Sequence, residues 1–260
     1  TTTKDRLLFA QKAFATTSNY EVAISKYFDK KIDKSHMLPA TFKESIRNSN
    51  MLRYGENPHQ EGVFYGDISK LFEQLHGKKL SYNNLLDLDA AINLIEEFST
   101  LSFGILKHNN ACGFASNNNI ISAWEQALAG DPISAFGGVL VTNGTINHEV
   151  AQRINELFFE ILIAPKFEKK ALELLKSKKN RIILRKKNTT LEQVSFRTAL
   201  NGVLCQQKDC KTDNKSIEMV SKLKVSKTQM EDLIFASKIC KHTKSNAIVL
   251  AKNQQLIGSG

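Results

Sequence analysis

Residues 103–164 read FGILKHNNACGFASNNNIISAWEQALAGDPISAFGGVLVTNGTINHEVAQRINELFFEILIA. Short apolar runs of strand type at 103–107, 138–142 and 161–164 alternate there with stretches of helical period at 120–129 and 148–159. The alternation continues with a helix over 168–178 and a strand over 181–184. Successive strands separated by helices need crossovers, and crossovers set neighbouring strands parallel with helices on both faces. The pattern therefore predicts an α/β fold with a largely parallel sheet.

Toward the amino end, apolar residues recur near helical spacing at Leu7, Leu8, Ala10 and Phe14. A polar break at 16–19 follows, then a second periodic run over 20–28, with Ser18 and Glu21 spaced as a capping box. Two helices are expected. Residues 29–50 are polar and basic, carry a lone Pro39 and hold no period, which marks a linker. Toward the other end, Ser226 with Gln229, or Thr228 with Glu231, opens a helix through Ile239; a strand over 246–251 follows, with a hairpin turn around 252–255.

A chain of 260 residues with 42% hydrophobic residues has enough apolar material for a real core. Its net charge of +10 suits polyanions or phosphorylated small molecules alike. The excess lies in dispersed pairs, Lys30-Lys31, Lys78-Lys79, Lys169-Lys170, Lys178-Lys179 and Arg185-Lys186-Lys187, without interleaved aromatics, so a solvated face is expected and not a nucleic-acid track. Four cysteines are too few for a disulfide scaffold and point to a reducing compartment, by default the cytoplasm. Cys205 and Cys210 lack a matching second pair, with His242 the one histidine downstream, and read as ordinary thiols; no metal site is expected. No apolar run reaches the roughly 18 residues of a membrane span, no secretory signal opens the chain, and both ends look cut.

Several polar segments carry chemistry. Arg53-Tyr-Gly-Glu-Asn-Pro-His-Gln60 puts a fixed cation, an imidazole and two amides on a loop forced by Gly and Pro. It suits a phosphorylated, hydroxyl-rich ligand, or is a polar surface turn. In Ser81-Tyr-Asn-Asn-Leu-Leu-Asp87, Asn83, Asn84 or Asp87 could simply cap the helix whose apolar stripe is Leu88, Ala91, Ile95 and Phe98. Lys107-His108-Asn109-Asn110-Ala-Cys-Gly113 leaves an apolar strand at its carboxyl end, where α/β folds place ligands. A lysine beside a histidine offers one charge to steady an anion and one group that moves protons near neutrality. Residues 130–138, Gly-Asp-Pro-Ile-Ser-Ala-Phe-Gly-Gly, form a glycine-bearing loop that is neither a P-loop nor a dinucleotide fingerprint.

Read in order, LRYGENPHQ, LSYNNLLDLDAA, LKHNNACGFA, DPISAFGG, IAPKFEKKAL and KSNAIVLAKN resemble the transformylase half of the bifunctional purine-biosynthesis family that joins AICAR transformylase to IMP cyclohydrolase. The opening residues resemble the last helices of the cyclohydrolase half. The resemblance implies a mixed sheet with flanking helices in two cytidine-deaminase-like repeats, divided as cyclohydrolase helices over 1–30, a linker over 31–50, the first transformylase repeat over 51–215 and an incomplete second repeat over 216–260. It implies formyl transfer from the co-substrate 10-formyltetrahydrofolate to AICAR, giving FAICAR, which the parent protein also closes to IMP. It further implies a homodimer with shared active sites, and neither nucleic acid nor membrane as partner.

By resemblance His108 is the proton acceptor, Lys107 its neighbouring cation, and Asn246 the amide that orients the formyl group. Arg53, Tyr54 and Asn84 stand at nucleotide-contacting positions, Phe136 and Gly137 at a ligand-lining turn, and Glu160 at an acidic contact. Asn109-Asn110 replaces the Val and Pro-type residues more common in the motif. The family's glycine-rich stretch after Ile257-Gly258, the rest of the second repeat and nearly all of the cyclohydrolase half have no counterpart in the sequence, which implies little or no turnover by this chain alone. Two rivals are a zinc nucleoside deaminase, whose His-x-Glu and Pro-Cys-x-x-Cys are absent, and a non-catalytic nucleotide-binding or scaffold module.

Overall fold

In the computed structural model the described residues are 1–32, 38, 40–189, 191–211 and 217–260. Parts of the expected linker (33–37 and 39, with Pro39) and the expected boundary at 215/216 lie outside them. In chain order the elements are α1 (Thr3–Ile32), β1 (Ser49–Met51), β2 (Val63–Tyr65), β3 (Phe72–His76), α2 (Tyr82–Ile95), β4 (Ser102–Lys107), β5 (Asn110–Ser116), α3 (Ile120–Gly130), β6 (Gly138–Thr142) and β7 (Thr145–Ile146). They continue with α4 (His148–Asn155), β8 (Phe159–Ala164), β9 (Lys166–Phe167), α5 (Lys169–Leu175), β10 (Ile182–Lys186), β11 (Val194–Ala199), β12 (Gly202–Gln207), α6 (Lys227–Lys241), β13 (Val249–Lys252) and β14 (Gln255–Ser259). The chain divides into two compact units, Thr1–Ser49 with Thr190–Cys210, and Asn50–Thr189 with Lys211–Gly260.

In the first unit α1 is one helix of 30 residues, not the two expected. The polar stretch does not break it because its side chains turn back onto the helix: Thr16 Oγ1 donates to the Lys12 carbonyl at 3.0 Å and Thr17 Oγ1 to that of Phe14 at 3.2 Å. The segment after the helix lies along it through a Lys26–Glu44 ion pair of 2.6 Å and a Lys43–Ser25 hydrogen bond of 2.7 Å. The β11–β12 hairpin, unforeseen in the sequence, belongs to the same unit, where the Phe196 ring meets Phe42 edge-on at 4.9 Å.

The second unit is built on an eight-stranded sheet in the order β13-β14-β5-β4-β6-β8-β10-β3. Period-2 alternation along its strands divides their side chains between two faces, each covered by helices. Phe103, Ile105, Leu140, Leu162 and Ile183 point to one face, where they form a core with Trp124 of α3, Val150 and Ile154 of α4 and Leu175 of α5. The intervening Leu106, Val139, Val141, Ile161 and Ile163 are equally buried and point to the other face, as the alternation requires. On that side lie α2 and α6, joined through the Phe98, Phe114 and Phe235 rings.

The sheet is mixed, as the family resemblance implied, and not largely parallel as the alternation alone predicted. Only β6–β8 and β8–β10 are parallel; the other pairings that anchor the sheet, β4–β5, β4–β6 and β10–β3, are antiparallel. The misreading comes from β5. Asn110-Ala-Cys-Gly-Phe-Ala-Ser116 has little strand propensity and reads as a loop, yet it returns along β4 as a hairpin. Gly113 makes this possible: a Cβ there would sit 2.0 Å from the Ala127 carbonyl oxygen, so only glycine lets α3 approach β5.

Side-chain contacts fix the ends of several elements. The Arg181 guanidinium is buried without a carboxylate, its Nη atoms donating to Asn155 Oδ1 at 2.6 Å and to the Asn155 and Leu157 carbonyls at 3.1 Å. It lies 4.4 Å over the Phe159 ring. Burial lowers its pKa; the three acceptors at the end of α4 keep it a cation and fasten the entrance of β8. The α6 capping box forms at Ser226 and Gln229, one of the two expected options, and the 252–255 hairpin forms with Asn253 and Gln254 both at positive φ.

Candidate active site

Lys107 is the last residue of β4, at the carboxyl end of an apolar strand as its sequence setting suggested, but the chain then turns through His108 at the tip of a hairpin and not into an open loop. His108 and Asn109 have φ of 50° and 67°, and Lys107 pairs with Asn110 across them. Consecutive left-handed residues define a tight primed turn, and histidine and asparagine are among the side chains that tolerate it. Asn110 serves the turn locally. Asn110 Nδ2 donates to the His108 carbonyl at 3.1 Å, and Asn110 Oδ1 accepts the Lys244 N–H at 3.1 Å.

The Lys107 ammonium donates to the Phe136 carbonyl at 2.6 Å, joining the hairpin to the turn that enters β6. There Gly137 has φ of 72°, the left-handed region that favours glycine, and its N–H donates to the Phe158 carbonyl at 2.8 Å. The Phe136 and Phe158 rings lie 5.0 Å apart, tilted 40° to each other and each exposed over half its surface or more, an open apolar patch beside the turn.

Asn84 and Glu160 come together as well. Ser81 is the N-cap of α2, and Asn84 closes the box by accepting the Ser81 N–H at 3.1 Å while its own N–H bonds Ser81 Oγ at 3.2 Å. Its Nδ2 donates to Glu160 Oε2 at 3.1 Å. The capping reading of this segment thus holds for Asn84, and the same amide also reaches across to Glu160 on β8. Replacing Ser81 with alanine is expected to cost about 1 kcal/mol of stability in denaturant melts and to loosen the Asn84–Glu160 contact.

The 53–60 loop is closed on itself by the Gly55 N–H to the Gln60 carbonyl at 2.7 Å and by Asn57 N–H to Gln60 Oε1 at 2.8 Å. Asn83 Nδ2 hooks it to the first turn of α2 through the Glu56 carbonyl at 3.1 Å. The Arg53 guanidinium lies 5.2 Å from the Tyr54 ring centre. Asn246 is exposed two residues beyond Lys244. Arg53 and Asn246 are linked to α2 and the hairpin only through their neighbours Glu56 and Lys244, and neither side chain makes a hydrogen bond or ion pair among the described residues. Asp87, one turn along α2 from Asn84, carries only a capping reading in the sequence; Lys244 enters there only as the head of KSNAIVLAKN with no role of its own, and Phe158 has no reading.

Chemically the cluster offers a cation, an imidazole, a carboxylate bonded to an amide, and aromatic surface. A cysteine nucleophile is not part of it: burial, with Asp131 adding to the effect, pushes the Cys112 thiol up to about 11. Among the described residues no group of three or more His, Cys, Asp or Glu is placed to hold a metal ion, and no helix is long and apolar enough to cross a membrane.

Such groups gathered at the strand ends of a mixed α/β sheet make a candidate small-molecule site. The chain belongs to the AICARFT/IMPCHase bienzyme family, whose model matches residues 1–260. It is 51% identical to the bifunctional purine biosynthesis protein PurH of Bacteroides thetaiotaomicron, over 99% of this chain and 50% of that protein. It is 40% identical to the proteins of the same name from Chlorobium chlorochromatii and Thermoanaerobacter sp., over 100% and 98% of this chain and 52% and 51% of theirs. The chain thus spans about half the length of the curated relatives it matches.

Proposed function

We propose that this chain carries the first part of a formyl-transfer site acting on AICAR, with 10-formyltetrahydrofolate as the donor, in the path to IMP. The observation that carries the reading is the hairpin tip: an ammonium and an imidazole on adjacent residues, beside the Phe136–Gly137 turn. In the proposed assignment residues 1–30 close the cyclohydrolase half, 31–50 link, 51–215 form the first transformylase repeat and 216–260 open the second. The parent protein would close FAICAR to IMP in the other half, work in the cytoplasm and act as a homodimer with shared sites.

The donor supplies the formyl group. The AICAR amine forms a new bond to the formyl carbon and must lose a proton as it does so; the His108 imidazole accepts that proton and returns it to the donor nitrogen as the donor's bond to the formyl carbon breaks. The formyl oxygen gathers negative charge meanwhile. Lys107 spends one of its three N–H donors on the Phe136 carbonyl, and the others remain to meet that oxygen. Arg53 suits the phosphate and Asn246 the formyl group, while the Asn84–Glu160 pair and Tyr54 suit the ribose and base.

Calorimetry with AICAR and with random RNA of matched phosphate concentration tests this reading. Saturable binding of AICAR that weakens in Arg53→Ala is expected, with RNA binding weak and abolished by salt. Equal, salt-sensitive uptake of both would favour the scaffold module instead.

A further inference from the structure

Asp87 is the residue in this region whose placement the reading above does not use. It lies on α2 three residues after Asn84, so both side chains leave the same face of the helix. Its Oδ1 accepts the backbone N–H of Asn109 at 2.9 Å, and Asn109 Nδ2 reaches the Leu86 carbonyl at 3.4 Å. Both bonds fall on the second left-handed residue of the turn that presents His108. A turn of two non-glycine residues at positive φ is strained by its own Cβ atoms, and an anchor from a neighbouring helix holds it.

The charges around Asp87 come from each element packed against it. His108 from the hairpin tip and Lys244 from the segment after α6 favour its ionised form; Glu160 from β8 opposes it. Burial is the largest influence and pushes its carboxyl above the usual range. A half-buried carboxylate is thus kept where solvation disfavours it, bonded to the residue next to His108 and within electrostatic reach of the imidazole.

We propose that Asp87 is a positioning residue for formyl transfer: it pins the hairpin tip through Asn109 and faces His108 with a negative charge that favours the imidazolium formed when His108 accepts a proton. This rests on the reaction proposed above. The coupling is reciprocal, because whatever the imidazolium gains from the carboxylate the carboxylate gains from the imidazolium.

Asp87→Asn separates the roles, since the amide oxygen still accepts the Asn109 N–H while the charge is gone. In the full-length protein the expected result is a kcat lowered about tenfold, a fraction of what a positioned general base is worth, with the KM for AICAR unchanged. Melting behaves oppositely. A carboxyl with a raised folded-state pKa contributes stability that is fully present below its unfolded value and is lost as pH rises through the folded one. Asp87→Asn should therefore match or exceed the parent Tm at neutral pH and lose that advantage as the pH falls into the carboxylate range. Asp87→Ala should in addition speed amide exchange at Asn109. In a carboxyl-carbon titration, His108→Ala should move the Asp87 midpoint further up.

Parent-like kcat in Asp87→Asn across the pH range overturns the proposal, as does a fall in Tm that accompanies the fall in kcat. If the full-length parent transfers no formyl group while His108→Ala still moves the Asp87 midpoint, the proposed reaction falls, and with it the part of Asp87 in that reaction, while the electrostatic pairing stands.

Discussion

His108→Ala in the full-length protein is expected to lower formyl transfer by roughly 10²–10⁴-fold, the usual worth of a positioned general base, and to leave closure of FAICAR to IMP at the parent rate. The amine of AICAR is a weak nucleophile that cannot keep its proton once the C–N bond forms. Without the imidazole, water has to take it. Ring closure belongs to the other half of the proposed bifunctional protein and needs nothing from this hairpin. Alanine tolerates φ of 50° less well than histidine, so a loss could reflect a collapsed turn. His108→Asn removes that ambiguity, because asparagine is at home in left-handed turns and lacks an imidazole. Coupled assays of both half-reactions decide the matter: transfer retained in His108→Asn, or equal loss of both activities, contradicts the assignment.

How much of this site was legible in the sequence depended on the range of the contacts involved. The α2 start was legible because its signals are local: Ser81 and Asn84 lie three residues apart, and each bonds the backbone of the other. The same holds for α6 and for the Asn253-Gln254 turn. The strands of β6 and β8 were legible because both faces are covered, so they read as continuous apolar runs.

β5 was not legible. Its alanines and glycine are chosen by α3 pressing on one side and β4 on the other, and no local propensity records that. The break expected in α1 failed for a related reason, since threonine signals a cap or a back-bonded helix turn with equal force. Within the site, Lys107 and His108 were found as a chemical pair, but their place on a hairpin tip follows from β5 and went unseen. Asn84 with Glu160, and Asp87 with Asn109, are contacts across 76 and 22 residues of chain. Such pairs leave no periodic trace; what marks Asp87 is its shared helical face with Asn84.

Phe103→Ala is expected to cost roughly 3–5 kcal/mol, the range for deleting a buried aromatic side chain, and to lower the Tm by on the order of 10 °C. Phe103 is fully buried near the start of β4, between β5 and β6, with its ring edge-on to Trp124 at 5.1 Å. Removing it empties the layer between the sheet and α3 at the strand whose far end carries Lys107. The chain has a single tryptophan, so fluorescence reports this layer alone. A red shift in emission is expected as water or mobile neighbours reach the cavity, together with the lower melting midpoint. Phe136→Ala is the matched control: its ring is 59% exposed, so its loss should change stability by no more than about 0.5 kcal/mol while weakening the proposed grip on a planar ligand. Equal melting of the two variants would mean that the core does not lie between α3 and β4. A destabilised Phe103→Ala protein that still binds AICAR below its Tm would show that the hairpin tip is held by α2 and the Lys244 segment and not by the layer beneath it.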